Sequence, residues 1–150
     1  MEEQLPRQEL DQTVVLIKPD AVQRGLIGTI LHRLETAGME LHEVRSVRPS
    51  EHMVRRHYQK HHGKPFFEDL VSYLADSHVV AVDVRAPEAV DVVRDMVGDT
   101  EPASADSGTI RGDLGEDSFA AADAEDRAVR NLVHASDSAE AAEREAALWF

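Results

Sequence analysis

Thr13-Val14-Val15-Leu16-Ile17-Lys18-Pro19-Asp20 runs from a continuous apolar, β-branched segment into a lysine, a proline and an aspartate. No polar residue alternates through Thr13–Ile17, so it reads as a buried strand. Pro19 cannot donate to a ladder, which ends the strand and leaves Lys18 at its tip. Before it, residues 1–11 are polar and are expected to be loosely ordered. Leu26 to Ala37 carries Ile27, Ile30, Leu31 and Leu34 at helical spacing, with Gly38 as the stop. Met39 to Val47 alternates well enough for a half-exposed strand, although Glu43 breaks the pattern. Ser50 is placed to cap a polar helix reaching about His62, which Gly63-Lys64-Pro65 breaks. Phe66 to Ala75 predicts a helix burying Phe67, Leu70, Val71 and Leu74, and His78 to Val84 predicts a third strand. Pro87 sits at a favoured first-turn position for a helix running to Val97. Gly98 to Asp113 reads as loop, and residues 114–128, acidic and alanine-rich, as an exposed loop or helical excursion.

A fourth strand, Val129 to Val133, is interrupted by Arg130 and Asn131 and delivers His134 to its end. Ser136, Asp137 and Ser138 follow as helix caps, with Asp137 and Glu140 spaced as a capping box. Strand, helix, strand, helices, strand, helices, strand, helix fits a ferredoxin-like α/β (α+β) sandwich of βαββαβ order. Its four-stranded antiparallel sheet would have helices over one face. Residues 1–150 are expected to form a single domain with one core.

Composition narrows the function. The formal charge is −13, and lysine occurs only at positions 18, 60 and 64. Such a balance suits the solvated acidic shell that halophiles use and argues against binding nucleic acid. Cysteine is absent, so disulfides and thiol chemistry are excluded. No apolar run is long enough to span a bilayer and no signal peptide is recognisable, which predicts a cytoplasmic protein with no membrane partner.

His134 is presented at a strand end beside a helix start, where anions are favoured. That position suits a nucleophile that becomes a phosphorylated imidazole; it also suits a polar residue that merely closes a strand. Lys18, Arg94, Arg111 and, less clearly, Lys64 fall near element ends, with Thr100 and Thr109 as hydroxyl donors. They are either a phosphate clamp or solvated surface. There is no P-loop and no protein-kinase motif set. His57, His61 and His62 share a helix, and the first two have zinc-ligand spacing without an evident third ligand. Phe66 and Phe67 are adjacent, so one can pack inward while the other offers a stacking face.

Thr13-Val-Val-Leu-Ile-Lys-Pro-Asp-Ala-Val-Gln-Arg-Gly25, His57-Tyr58, Lys64-Pro-Phe-Phe67, Gly108-Thr-Ile-Arg-Gly-Asp113, Asn131-Leu-Val-His-Ala-Ser-Asp-Ser138 and Glu143-Arg-Glu-Ala-Ala-Leu-Trp-Phe150 resemble, in order, the nucleoside diphosphate kinases. The resemblance covers residues 12–150 and suggests an archaeal, halophilic type. It implies ping-pong transfer of the γ-phosphate of ATP, with Mg²⁺ bridging the phosphates, to GDP, CDP, UDP or deoxy forms. A pros-phosphohistidine on His134 would be the intermediate. It further implies Lys18 on the terminal phosphate and sugar, and Asn131 on the sugar. Arg94, Thr100 and Arg111 would clamp phosphates, Tyr58 would lie near the transferred group and His61 near the inner phosphate. Phe66 would stack on the base, and Ser136 and Glu145 would position His134. No protein-bound metal is expected, and the assembly is expected to be a homo-oligomer, a hexamer. Against the family pattern, the segment between Asp113 and Asn131 is long, Ala135 replaces a common glycine, and Glu101 stands where asparagine is frequent. The alternatives are an inactive relative kept as a nucleotide-binding regulator, a ligand-binding module without chemistry, and a protein using the helix-borne histidines for metal.

Overall fold

Side chains of a strand alternate between faces, so a strand that is apolar at every position must be covered on both. In the computed structural model, which describes residues 10–150, that is the state of Val14–Ile17 and Val79–Val82 within the two central strands, β1 (Asp11–Ile17) and β3 (Val79–Ala86). Val15, Ile17, Val80, Val82 and Val84 face one core, packed by Ile30 and Leu34 of α2 (Ile27–Thr36) and by Val93 and Val97 of α5 (Ala89–Val97). Val14, Leu16, Val79 and Ala81 face another. It is filled from α3 (Glu51–His57), α4 (Phe67–Leu74) and α8 (Ala139–Trp149) by Val54, Phe67, Leu70, Val71, Leu74 and Trp149. Helices therefore cover both faces, not one as the element order alone suggested.

The sheet order is β2-β3-β1-β4, with β2 spanning Glu40–Val47 and β4 only Val133–Ala135. Every pairing is antiparallel, which is the ferredoxin-like arrangement. Edge strand β2 is half exposed, as its alternation predicts.

Several boundaries move. β1 begins at Asp11, so the end of the expected loose segment is strand, while residues 1–9 lie outside the described residues. Pro19 does more than stop β1: it opens a short helix, α1 (Pro19–Gln23), with Lys18 as its N-cap residue. The helix capped by Ser50 ends at His57 and continues as a 3₁₀ turn, Gln59–His61. α5 begins at Ala89 rather than Pro87, because Glu88 is left-handed at φ 54 and donates its N–H to Asp11. The expected loop after Gly98 contains a 3₁₀ turn, Pro102–Ser104, and α6 (Ile110–Leu114). The acidic stretch forms α7 (Phe119–Ala124). Residues 129–132 are not strand. α8 is capped by the Ser138 hydroxyl, not by Asp137, and no capping box forms.

Candidate active site

β4 is short because Leu132 is left-handed, at φ 73, a conformation that costs a non-glycine residue roughly 1–3 kcal/mol. Three observations hold it there. Its N–H donates to Asp20 at 3.0 Å, its carbonyl accepts from Lys18 N–H at 2.8 Å, and its side chain is buried. The strand starts only at Val133, and His134 is its middle residue, opposite Leu16 of β1.

The His134 ring is fixed from behind. Its Nε2 lies 2.7 Å from Glu145 Oε1, and that same oxygen accepts from Ser136 Oγ at 2.8 Å. Ser136 Oγ in turn accepts from Val14 N–H at 3.1 Å, so the sheet sets the hydroxyl, the hydroxyl sets the carboxylate, and the carboxylate sets the ring. A carboxylate oxygen with two donors on it can only accept, so the imidazole proton sits on Nε2 and the lone pair on Nδ1. Nδ1 has no partner among the described residues and opens on the cleft. Burial, then the charges of Lys18 and Arg111, push the His134 pKa down to about 3, so the ring is neutral at working pH.

His57, which the sequence places on one helix with His61 and His62, is 4% exposed and lies behind His134. Its ring stands edge-on to His134 with centroids 4.4 Å apart, and its Nδ1 accepts from Trp149 Nε1 at 2.9 Å. Its own proton therefore lies on Nε2, which is buried and unpaired. The expected zinc spacing gathers no third ligand: His61 faces Lys64 at 2.9 Å, and His62 packs on Phe67. Among the described residues, the one group with metal-ligand proximity is His57, His134 and Glu145, within 4.8 Å. There, the Trp149 hydrogen bond denies His57 a free lone pair. Nothing in the sequence around His57 pointed to its tryptophan partner 92 positions away.

The cations converge on the same ring. Lys18 is 8% exposed and donates to Asn131 Oδ1 at 2.8 Å, while Asn131 Nδ2 donates to Thr100 O at 2.9 Å. Burial, and next Arg111, lower the Lys18 pKa to about 8. Arg111 donates to the carbonyls of Asn131, Gly98 and Val133 at 3.1, 3.1 and 2.7 Å, which braces the backbone on either side of Leu132. Its remaining N–H groups are left for a ligand. The Gly112 beside it is obligatory, since a Cβ there would lie 1.9 Å from the Asp106 carbonyl. Tyr58 is buried with an unpaired hydroxyl, and burial raises its pKa, so it stays a neutral donor.

Lys18, Tyr58, His61, Phe66, Arg94, Thr100, Arg111, Asn131, His134 and Glu145 all line one cleft of about 1270 Å³. Ser136 lies just behind it, fully buried. Arg94 and Thr100 are exposed on its lip, and Phe66 stands 5.6 Å from the His61 ring. Lys64 reaches the cleft only through its neighbours, with Nζ 6.0 Å from the Phe66 centroid. Thr109 is structural: its hydroxyl caps α6 by accepting from Gly112 N–H and donates to the Asp106 carbonyl. Sequence reasoning missed Asp20, which holds Leu132 and Tyr73, and missed the Lys60–Asp137 ion pair.

The chain resembles known proteins along nearly its whole described length. A family model described as "Nucleoside diphosphate kinase" matches residues 11–150. The nucleoside diphosphate kinase of Chloroflexus aggregans is 46% identical over 142 residues, covering 94% of this chain and 87% of that one. Among solved structures, one described as a transition-state mimic of nucleoside-diphosphate kinase from Borrelia burgdorferi with bound vanadate and ADP superposes with a TM-score of 0.90. It is 33% identical and covers 94% of this chain and 87% of that one. A halophilic nucleoside diphosphate kinase from Halobacterium salinarum in complex with CDP gives 0.83 at 39% identity, covering 95% and 88%. Bacterial and archaeal relatives both occur, so the archaeal, halophilic type expected from the resemblance is not borne out.

Proposed function

Since the chain belongs to the nucleoside diphosphate kinase family and so transfers a phosphoryl group from a nucleoside triphosphate to a nucleoside diphosphate, we propose that it does so by ping-pong chemistry through His134. The observation that carries this reading is the tautomer: Nε2–H tied to Glu145, Nδ1 free and facing the cleft. In the first half-reaction the Nδ1 lone pair attacks the γ-phosphorus of ATP, and the bond from that phosphorus to the bridging oxygen breaks. The diphosphate leaves without needing a proton. The ring, now phosphorylated on Nδ1 and still protonated on Nε2, becomes cationic, and the Glu145 carboxylate against Nε2 offsets that charge. The second half-reaction runs the same steps in reverse onto GDP, CDP, UDP or a deoxy form.

Lys18 would meet the terminal phosphate and the sugar 3′-hydroxyl, with Asn131 holding both Lys18 and the sugar. Arg94, Thr100 and the free N–H groups of Arg111 would clamp phosphates, Tyr58 would donate near the transferred group, and His61 would lie near the inner phosphate. Phe66 would stack on the base, a contact every base can make. A Mg²⁺ would arrive on the nucleotide's phosphates. The one ligand-like cluster among the described residues, two imidazoles and a carboxylate, is a poor donor set for it. Bound to the phosphates, Mg²⁺ supplies charge neutralisation. We treat residues 1–150 as one cytoplasmic domain that assembles as a homo-oligomer, a hexamer by family likeness. Exposed Val44 on edge strand β2 supports assembly, and light scattering checks it. The alternative of a relative without turnover is not favoured, which is supported by the cations, Asn131 and the Glu145-bonded His134 all lining one cleft.

Initial rates test the scheme. With ATP and GDP varied together, double-reciprocal lines are expected to be parallel; lines that intersect would mean both nucleotides must be bound at once. The pH profile follows from the shifted groups. His134 is already neutral well below pH 6, so kcat/KM is expected to be flat from about pH 7 down to about 5.5, without an imidazole limb. Lys18 is charged below its pKa of about 8 and neutral above it, so kcat/KM falls on the alkaline side. A Lys18→Arg variant keeps its charge and should lose that fall; an unchanged alkaline limb would assign it to another group.

A further inference from the structure

The segment between Leu114 and Asn131 takes no part in the chemistry above, yet it walls one side of the nucleotide cleft. It is pegged to both flanks. On one, Glu101, next to Thr100, accepts from Phe119 N–H at 2.8 Å, and Ala103 N–H donates to the Asp117 carbonyl at 3.2 Å. On the other, Asp69 of α4 accepts from Ala128 N–H at 3.2 Å, and the Arg130 guanidinium lies 4.5 Å from the centroid of the Tyr73 ring. Between them Arg127 grips Asp117 at 2.6 and 3.1 Å, which pulls that carboxyl down to about 2 and keeps the pair ionised at any working pH. Two of the three departures from the family pattern, the long segment and Glu101, thus belong together: Glu101 is the peg that fixes the start of α7.

A strap tied to both flanks of a binding cleft restricts whatever lies in it. Along with Phe119 and Ala122, its cleft side carries Asp123 and Asp126, both exposed and neither paired among the described residues. Carboxylates repel phosphates, so their use lies at the other end of a nucleotide. Asp126 is two residues from Ala128, which is bonded to α4, the helix that Phe66 opens as its N-cap residue. We propose that residues 115–129 form a base-reading strap, in which Asp123 and Asp126 accept hydrogen bonds from the Watson–Crick edge of the base stacked on Phe66. This rests on the reading of the cleft as the nucleotide site.

The chemistry ranks the bases. Guanine presents a ring N–H and an amino group side by side, which matches the two oxygens of one carboxylate. Adenine and cytosine present one amino group beside an acceptor nitrogen. Uracil presents one N–H between two carbonyls, which a carboxylate repels. Stacking on Phe66 tolerates all four, so discrimination falls to the strap.

The test compares kcat/KM for GDP and for UDP, with ATP as donor, in wild type and in an Asp123→Asn, Asp126→Asn variant that keeps side-chain shape. Wild type is expected to favour GDP by about tenfold, and the variant to bring the ratio within about twofold, through KM rather than kcat. A wild-type ratio near one, or a ratio unchanged in the variant, overturns the strap's role. Labelling of the wild-type protein by γ-labelled ATP in the same preparation separates the two failures. Label without base preference overturns the strap alone, and absence of label overturns the reading beneath it.

Discussion

Turnover of a His134→Ala variant is expected to fall by roughly 10⁴-fold or more, as when a nucleophile is removed from other covalent mechanisms. No neighbour can replace it. His57 is the nearest imidazole, but its Nδ1 is occupied by the Trp149 N–H and its Nε2 holds the proton, so it has no lone pair to offer. Tyr58 is held neutral by burial. The substitution should leave the fold intact, because the ring makes one side-chain hydrogen bond and Glu145 keeps its bond from Ser136. Initial rates with ATP and GDP, beside a circular-dichroism melt, check both halves of the expectation. Residual turnover above a few per cent in a folded variant would mean direct transfer between two bound nucleotides.

Arg111→Ala should show the second-largest effect, and on two axes. The guanidinium satisfies three backbone carbonyls around the strained Leu132, so its removal is expected to cost roughly 2–4 kcal/mol of stability. It also removes the guanidinium N–H groups that line the cleft, which under the proposed clamp adds a loss of roughly 10²–10³ in kcat. Arg111→Lys separates the two. A lysine restores a point charge and should recover part of kcat, but it cannot reach three carbonyls at once and should recover little stability. Urea unfolding and steady-state kinetics on both variants decide this. Full stability in Arg111→Ala would contradict the bracing role.

The apolar runs of β1 and β3 made the sheet legible, since a buried strand leaves few other readings for such segments. The same runs carried the information that both faces are covered, which element order alone does not convey. Lys18, Arg111, Asn131 and His134 could be picked out because short motifs hold them, Lys18 at the end of β1, Asn131 and His134 in and just before β4, and Arg111 in α6. What stayed hidden depends on contacts far apart in sequence: His57 with Trp149, Asp20 with Leu132, Lys60 with Asp137. Asp137 looked like a helix cap because it sits one residue from the true one, Ser138, and its tie to Lys60 is invisible locally. The left-handed Leu132 was equally illegible, since leucine carries no signal for positive φ and only its three constraints impose it.

If His134 carries the phosphoryl group between nucleotides, the phosphorylated protein can be isolated between the two half-reactions. The protein is incubated with γ-labelled ATP and Mg²⁺ without an acceptor, stripped of nucleotide, and then offered GDP or CDP. The mechanism predicts one acid-labile, alkali-stable label per chain, absent from His134→Ala and discharged onto the added diphosphate. No label on the wild type, or label that persists in the variant, would contradict it.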